Sequence, residues 1–289
     1  MAVLRSAALV GLSLANFIFV SWSVAEFVAF VSLRQIYRES GRPGAAATGP
    51  ETDVHTHVKW QSALRDTRVH QALLFNLALL AFFILQHSVM AAESVRRWTL
   101  AWFGVLQRSL YVFCTAASLQ LLMLFWQSIQ AAPFLWSVSR EPWGTWFPLI
   151  CFIIHIIAWL IIFSIVLIFD YAELMGLKQV YYHCLALGDP MVLKSQKAQR
   201  LYCHLRHPVF LEFLAILWVV PSLSLDRLLL STAFTLYMIC GHSLDQQDYR
   251  YLRSQLNKKF ELFSREETTY GQLAAHNCVG ESTAGEHRD

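Results

Sequence analysis

The stretch "WFPLICFIIHIIAWLIIFSIVLIF", residues 146–169, decides the fold. It is apolar throughout, with His155 as its one ionisable side chain, and it exceeds the about 20 residues that a helix needs to cross a hydrocarbon core. Backbone N–H and C=O groups find no water there, so a spanning segment is a helix or a strand of a closed barrel. A barrel strand alternates polar and apolar side chains; this run does not, and it reads as a helix.

The rest of the chain agrees. Its 289 residues are 56% hydrophobic and 15% charged, a balance that belongs to membrane proteins rather than soluble globules. Further helix-length apolar runs occur at about 7–32, 69–92, 109–130, 208–223 and 227–244. The last two are shorter and are separated by "PSLSLDR", where Pro221, serines and Asp226 predict a tight turn and hence a helical hairpin. The expectation is an all-α polytopic protein of about six transmembrane helices. Its transmembrane domain would cover 1–263, with a flexible loop at 33–68 containing "SGRPGAAATGP" and a disordered tail at 264–289.

Lysine and arginine set the orientation. With both termini on the cytoplasmic side, that side collects roughly 15 of the 23 basic residues. The loops near 131–145 and 224–227 hold about one each, while the first loop is anomalously basic. The N-terminus runs directly into the first apolar run without a small-residue cleavage site, which reads as an uncleaved anchor. Six scattered cysteines without C-x-x-C spacing argue against a zinc site or a disulfide framework. A net charge of +3 is too small to argue for nucleic acid; the lipid bilayer is the expected partner, with "RSQLNKKFELFSR" available to anionic lipid.

Five polar residues stand where hydrocarbon makes them costly: Gln86 and His87 ending the second run, Arg108 opening the third, His155 within the fourth and Glu212 in the fifth. Residues near span ends snorkel, and a neutral histidine bonds a neighbouring helix. Glu212 needs a cation or a proton, and Arg206 and Arg108 are its candidate partners. A bis-histidine haem site from His87 and His155 would require matching depths, and the two residues sit at different depths. After the fourth run, the chain reads as a helix continuing past the membrane and turning at Gly188, Asp189 and Pro190, followed by a basic approach from Lys194 to Arg206.

"LYCHLRHPVFLEF" (201–213), the closing hairpin and "HSLDQQD" (242–248) resemble the C-terminal signature of the isoprenylcysteine carboxyl methyltransferase and methanethiol S-methyltransferase superfamily. The likeness extends through "QHSVMA" (86–91), "LQRSLYV" (106–112) and "GLKQV" (176–180), covering roughly 70–250. It implies a methyltransferase-like helical bundle that closes with the hairpin and binds S-adenosylmethionine at the hairpin's start. Taken whole, with "DYAELMGLKQVYYH" and "HLRHPV", the chain is similar to multi-pass proteins of the inner nuclear membrane, which implies that membrane, continuous with the endoplasmic reticulum, and nuclear-envelope proteins as partners.

The chain departs from the superfamily pattern at the cofactor. Arg206, His207 and Pro208 match it, but Glu212 stands where glycine is expected, and Asp245 and Gln246 replace a pair of glutamates. The glycine of a following Phe-Gly is missing as well. A carboxylate in place of a glycine fills space that lets a ligand approach backbone. The resemblance therefore implies a retained scaffold without catalysis and no cofactor. The alternative it implies is a methyltransferase acting on a small thiol or a lipid-embedded acceptor. Arg206, His207, Asp245 and Gln246 would then hold S-adenosylmethionine, and His87 or Arg108 would face the acceptor. A lipid or sterol binder using the vacated cavity is the third reading.

Overall fold

The computed structural model describes residues 2–34, 60–129, 131–138, 142–190, 192, 194, 209–241, 250, 253–258, 260 and 261. Most of the loop read at 33–68, the tail at 264–289, and Arg206, His207, Pro208, Asp245 and Gln246 lie outside the described residues. In chain order the elements are α1 (Ala2–Val28) with a π-turn (Ala29–Leu33), α2 (Trp60–Ala63), α3 (Thr67–Ala91) and α4 (Glu93–Phe103). A 3₁₀ turn (Gly104–Leu106) leads into α5 (Gln107–Phe125), followed by β1 (Trp136–Ser137), α6 (Trp143–Ile168), α7 (Tyr171–Leu174) and α8 (Leu177–Cys184). The hairpin closes the bundle as α9 (Phe210–Trp218), β2 (Ser222–Leu223) and α10 (Leu225–Gly241).

Among the described residues, four runs are long and apolar enough to cross a membrane: Leu4–Leu33, Thr67–Ala91, Glu93–Phe125 and Trp143–Ile168. Their side chains are arranged inside out. Ile18, Leu85, Leu124 and Leu160 face outward, whereas Ser13, Ser23, Asn76, Ser109 and Ser118 are buried. Water would penalise both halves of that pattern, while hydrocarbon rewards it: small and polar side chains bring helices close, and lipid covers the leucines. The protein is an all-α, multi-pass membrane protein.

α5 is the central helix, packed against α1 on one side and α3 on the other. Asn76 of α3 locks the end of α5, donating to the Gln127 carbonyl at 2.7 Å and accepting from the Gln127 amide at 2.9 Å. The α3 start is set by Asp66, whose carboxylate accepts from the Arg68 amide at 2.8 Å, an ordinary N-cap. The hairpin joins the core through aromatic side chains: Phe213 stacks on Phe27 at 5.8 Å, and Phe234 meets Phe27, Phe83 and Phe213 edge-on.

Two sequence expectations change. The first arm of the hairpin is shorter than the run at 208–223: α9 has 9 residues, a rise of about 14 Å; α10 has 17 residues and starts two before the run at 227–244, whose last three residues lie outside the described ones. α9 stops at Trp218 because Pro221 disfavours helical backbone just before it. The chain after α6 is not one continuing helix either. It breaks at Asp170 (φ +63) and again at Gly176 (φ +86), so that α8 folds back against α1. A turn at Gly188 (φ +83) is present as expected.

The hairpin crest is held by a short antiparallel clasp, Trp136 opposite Leu223 and Ser137 opposite Ser222. This places the 131–138 segment and the hairpin turn at the same end of the bundle, the arrangement that the basic residues anticipate.

Candidate functional site

Three of the separated motifs meet in space at the end of the bundle opposite the clasp. His87 of "QHSVMA" faces α5, with Nδ1 3.2 Å from Thr115 Oγ1 and Nε2 3.2 Å from the Tyr111 hydroxyl. Its ring stacks on Phe83 at 5.9 Å and receives the edge of Tyr237 from α10 at 6.1 Å. Next to it, Ser118 donates to Gln86 Oε1 at 2.9 Å. Arg108 of "LQRSLYV" lies over the same Tyr111 ring, 5.2 Å from its centroid, and its Nε donates to the Leu174 carbonyl at 2.9 Å. The two residues assigned to an acceptor pocket therefore share Tyr111 as a neighbour.

"GLKQV" completes the group. A Cβ at Gly176 would lie 2.5 Å from Ser109 Oγ and 2.7 Å from the Ser109 amide nitrogen, so only glycine lets α8 start this close to α5. Around this turn is an ion-pair cluster: Lys178 to Asp170 at 2.6 Å, Lys194 to Glu173 at 2.9 Å and Lys178 to Glu173 at 3.6 Å. Partial burial pushes the Asp170 carboxyl up, but hydrogen bonding to Lys178 and the nearby positive charges prevail and hold it below its ordinary value. The hydrogen bond to Asp170 in turn raises the Lys178 ammonium above its usual range.

Glu212 is the third residue of α9 and half-buried. A carboxylate in the first turn is favoured by the exposed amides and the dipole of the helix, which lowers the cost that its position suggests in the sequence. The pair with Arg108 is not formed among the described residues: the Arg108 guanidinium is directed to Leu174 and Tyr111. His155 is separate from His87. Its Nε2 donates to the Val219 carbonyl at 2.8 Å, so a helix-to-helix hydrogen bond takes the place of the haem pairing.

Sequence reasoning missed the polar residues of the crest. Arg227, counted there as a loop cation, is fully buried and donates Nη2 to the Val31 carbonyl at 2.9 Å and the Ile216 carbonyl at 3.2 Å. Asp226 accepts from Trp126 Nε1 at 3.1 Å and the Ile129 amide at 3.3 Å. Ser231 donates to the Leu217 carbonyl at 2.9 Å, and Trp136 Nε1 to the Val220 carbonyl at 3.2 Å. The broken end of α9 thus has its carbonyls satisfied by side chains, as buried irregular backbone in a membrane protein requires. The one signal for this was that Arg227 opens directly into "LLLSTAF" and so belongs to the apolar helix.

Outward leucines, inward serines and a polar cluster between α3, α5 and α10 define an integral membrane protein of helical-bundle class. Nurim of Homo sapiens is 54% identical to this chain over 260 residues, 89% of this chain and 95% of that protein. Nurim of Rattus norvegicus is 53% identical over the same length, and Nurim of Danio rerio 54% over 252 residues, covering 87% of this chain and 89% of that one. The chain belongs to the nurim family. No family model and no solved structure matches it.

Proposed function

We propose that this chain is a non-catalytic, multi-pass component of the inner nuclear membrane built on a methyltransferase-like helical scaffold. The observation that carries this reading is Glu212. It stands in the first turn of α9, where the resembling superfamily has a glycine for close approach of the cofactor, and a half-buried carboxylate does not fit a ligand lying against that backbone. Arg108 supports it from the other side, since its Nε is committed to the Leu174 carbonyl. Nurim-family membership and the resemblance to inner-nuclear-membrane proteins support the compartment, and nuclear-envelope proteins follow as partners.

The test is equilibrium binding of S-adenosylmethionine to the purified protein and to Glu212→Gly. The expected result is no binding by the wild type and partial recovery in the variant. Selective permeabilisation with antibodies to each terminus tests the compartment, and staining confined to the plasma membrane refutes it.

The meeting of His87, Arg108 and Tyr111 favours a second reading, a methyltransferase for a small thiol or lipid-embedded acceptor. Arg206, His207, Asp245 and Gln246 would hold the cofactor, which supplies the methyl group when bound. Wild-type binding that is abolished by His207→Ala would establish this alternative.

A further inference from the structure

We infer that α4 is an in-plane anchor that seats on anionic phospholipid headgroups, on the membrane face where α3 ends and α5 begins. α3 and α5 pack side by side in opposite directions, with Asn76 against Gln127 and Gln86 against Ser118, so their axes are about 8–10 Å apart. α4 joins their adjacent ends with 11 residues, a rise of about 16 Å. The chain leaves the α3 axis at Ala92 (ψ 138) and enters α5 through Gly104 (φ +51, ψ −122). A straight helix of that length between neighbouring helix ends lies across them, not along either.

The sequence of α4 fits such a position. Trp98 and Trp102 stand one turn apart with rings 6.3 Å from each other, and they are 60% and 74% exposed. Thr99 is turned inward, while Glu93, Arg96 and Arg97 are exposed on the side of the helix away from the tryptophans, with exposed Leu100 between them. Indoles on one side and arginines on the other mark a helix at the boundary between acyl chains and headgroups. Glu93 offsets one of the two arginines, at 3.8 Å from Arg97. One net positive charge remains on the helix, which sets the expected preference for anionic lipid at about fivefold or less.

The experiment uses the full chain in vesicles of phosphatidylcholine with phosphatidylserine. Emission from Trp98 and Trp102, taken as the difference between wild type and the Trp98→Phe/Trp102→Phe protein, should be quenched by lipids brominated near the headgroup. Energy transfer from Trp98 and Trp102, taken as the same difference, should be two- to fivefold greater to dansyl-phosphatidylserine than to dansyl-phosphatidylcholine, and Arg96→Gln/Arg97→Gln should remove the excess. Quenching by aqueous acrylamide without quenching by brominated lipid would overturn the proposal and assign the face to a soluble protein. Equal transfer to the two dansyl lipids in that difference would overturn the headgroup preference; the elution profile and unfolding temperature of the Trp98→Phe/Trp102→Phe protein check that it is folded.

Discussion

Gly176→Ala tests the packing that brings the motifs together. The added methyl meets Ser109 Oγ at 2.5 Å, its amide nitrogen at 2.7 Å and its Cα at 3.1 Å. Two of these atoms are backbone, so a side-chain rotation does not remove the conflict. Relief by a backbone shift costs about 1–3 kcal/mol. The left-handed conformation, φ +86, adds about 1–2 kcal/mol for any residue with a Cβ. Gly188→Ala separates the two contributions, because Gly188 has φ +83 with nothing within 4 Å and should bear the conformational cost alone. Gly11→Ala, in the open on α1, should be neutral or stabilising by up to about 1 kcal/mol. Thermal unfolding in detergent, followed by size exclusion with tryptophan fluorescence, should rank the variants Gly11→Ala, Gly188→Ala, Gly176→Ala in order of falling stability. At about 2–4 °C per kcal/mol the steps are readily resolved. If Gly176→Ala is no worse than Gly188→Ala, α8 does not approach α5 as described.

Arg227→Ala should destabilise strongly, by about 3–5 kcal/mol, because it strands the Val31 and Ile216 carbonyls and opens a void. Arg227→Met should cost less, since it keeps volume and removes a buried charge whose Nε and Nη1 have no partner among the described residues, but it still strands the two carbonyls; a methionine variant as stable as the wild type would refute the capping role. His155→Leu should cost about 1–3 kcal/mol by leaving the Val219 carbonyl unpaired, read by the same unfolding assay. Asp170 has its carboxyl held low in the folded protein, so its contribution to stability is present above the unfolded value of about 4 and fades as pH falls through the lower folded value. The raised Lys178 ammonium contributes below about 10.5 and loses that contribution as pH rises through its higher folded value. Wild type should therefore exceed Asp170→Asn in melting temperature at neutral pH, and the gap should narrow below pH 4; a gap independent of pH would refute the pairing.

Hydropathy alone located the long helices to within a few residues, because twenty-odd apolar side chains leave a chain few alternatives to spanning lipid. It overstated the hairpin's first arm because Leu214 to Val220 are as apolar as any span, and only Pro221 records where the helix stops. The clasp was illegible for a different reason: strands of two residues carry no periodicity. At the site, residue types pointed to His87 and Arg108, but not to the partners they chose. Arg108 bonds a backbone carbonyl, a group that every residue carries and no letter of the sequence announces. Arg227 escaped notice because its neighbour Asp226 made both look like a solvated turn, whereas the aspartate turns to Trp126 and the arginine to α1 and α9.

The crest also dictates an order of assembly. α9 is a nine-residue helix whose terminal carbonyls are completed by Arg227 and Ser231 of α10, His155 of α6 and Trp136 of the clasp. Until those donors arrive its exposed carbonyls are unpaired in lipid, so it gains little by entering the bilayer on its own. During synthesis the long helices can be released sideways one after another as they emerge. The final hairpin must wait for its own second arm and then enter as a unit against α1 and α6 already in place, which makes a protein truncated before residue 225 a chain with its last helix left outside.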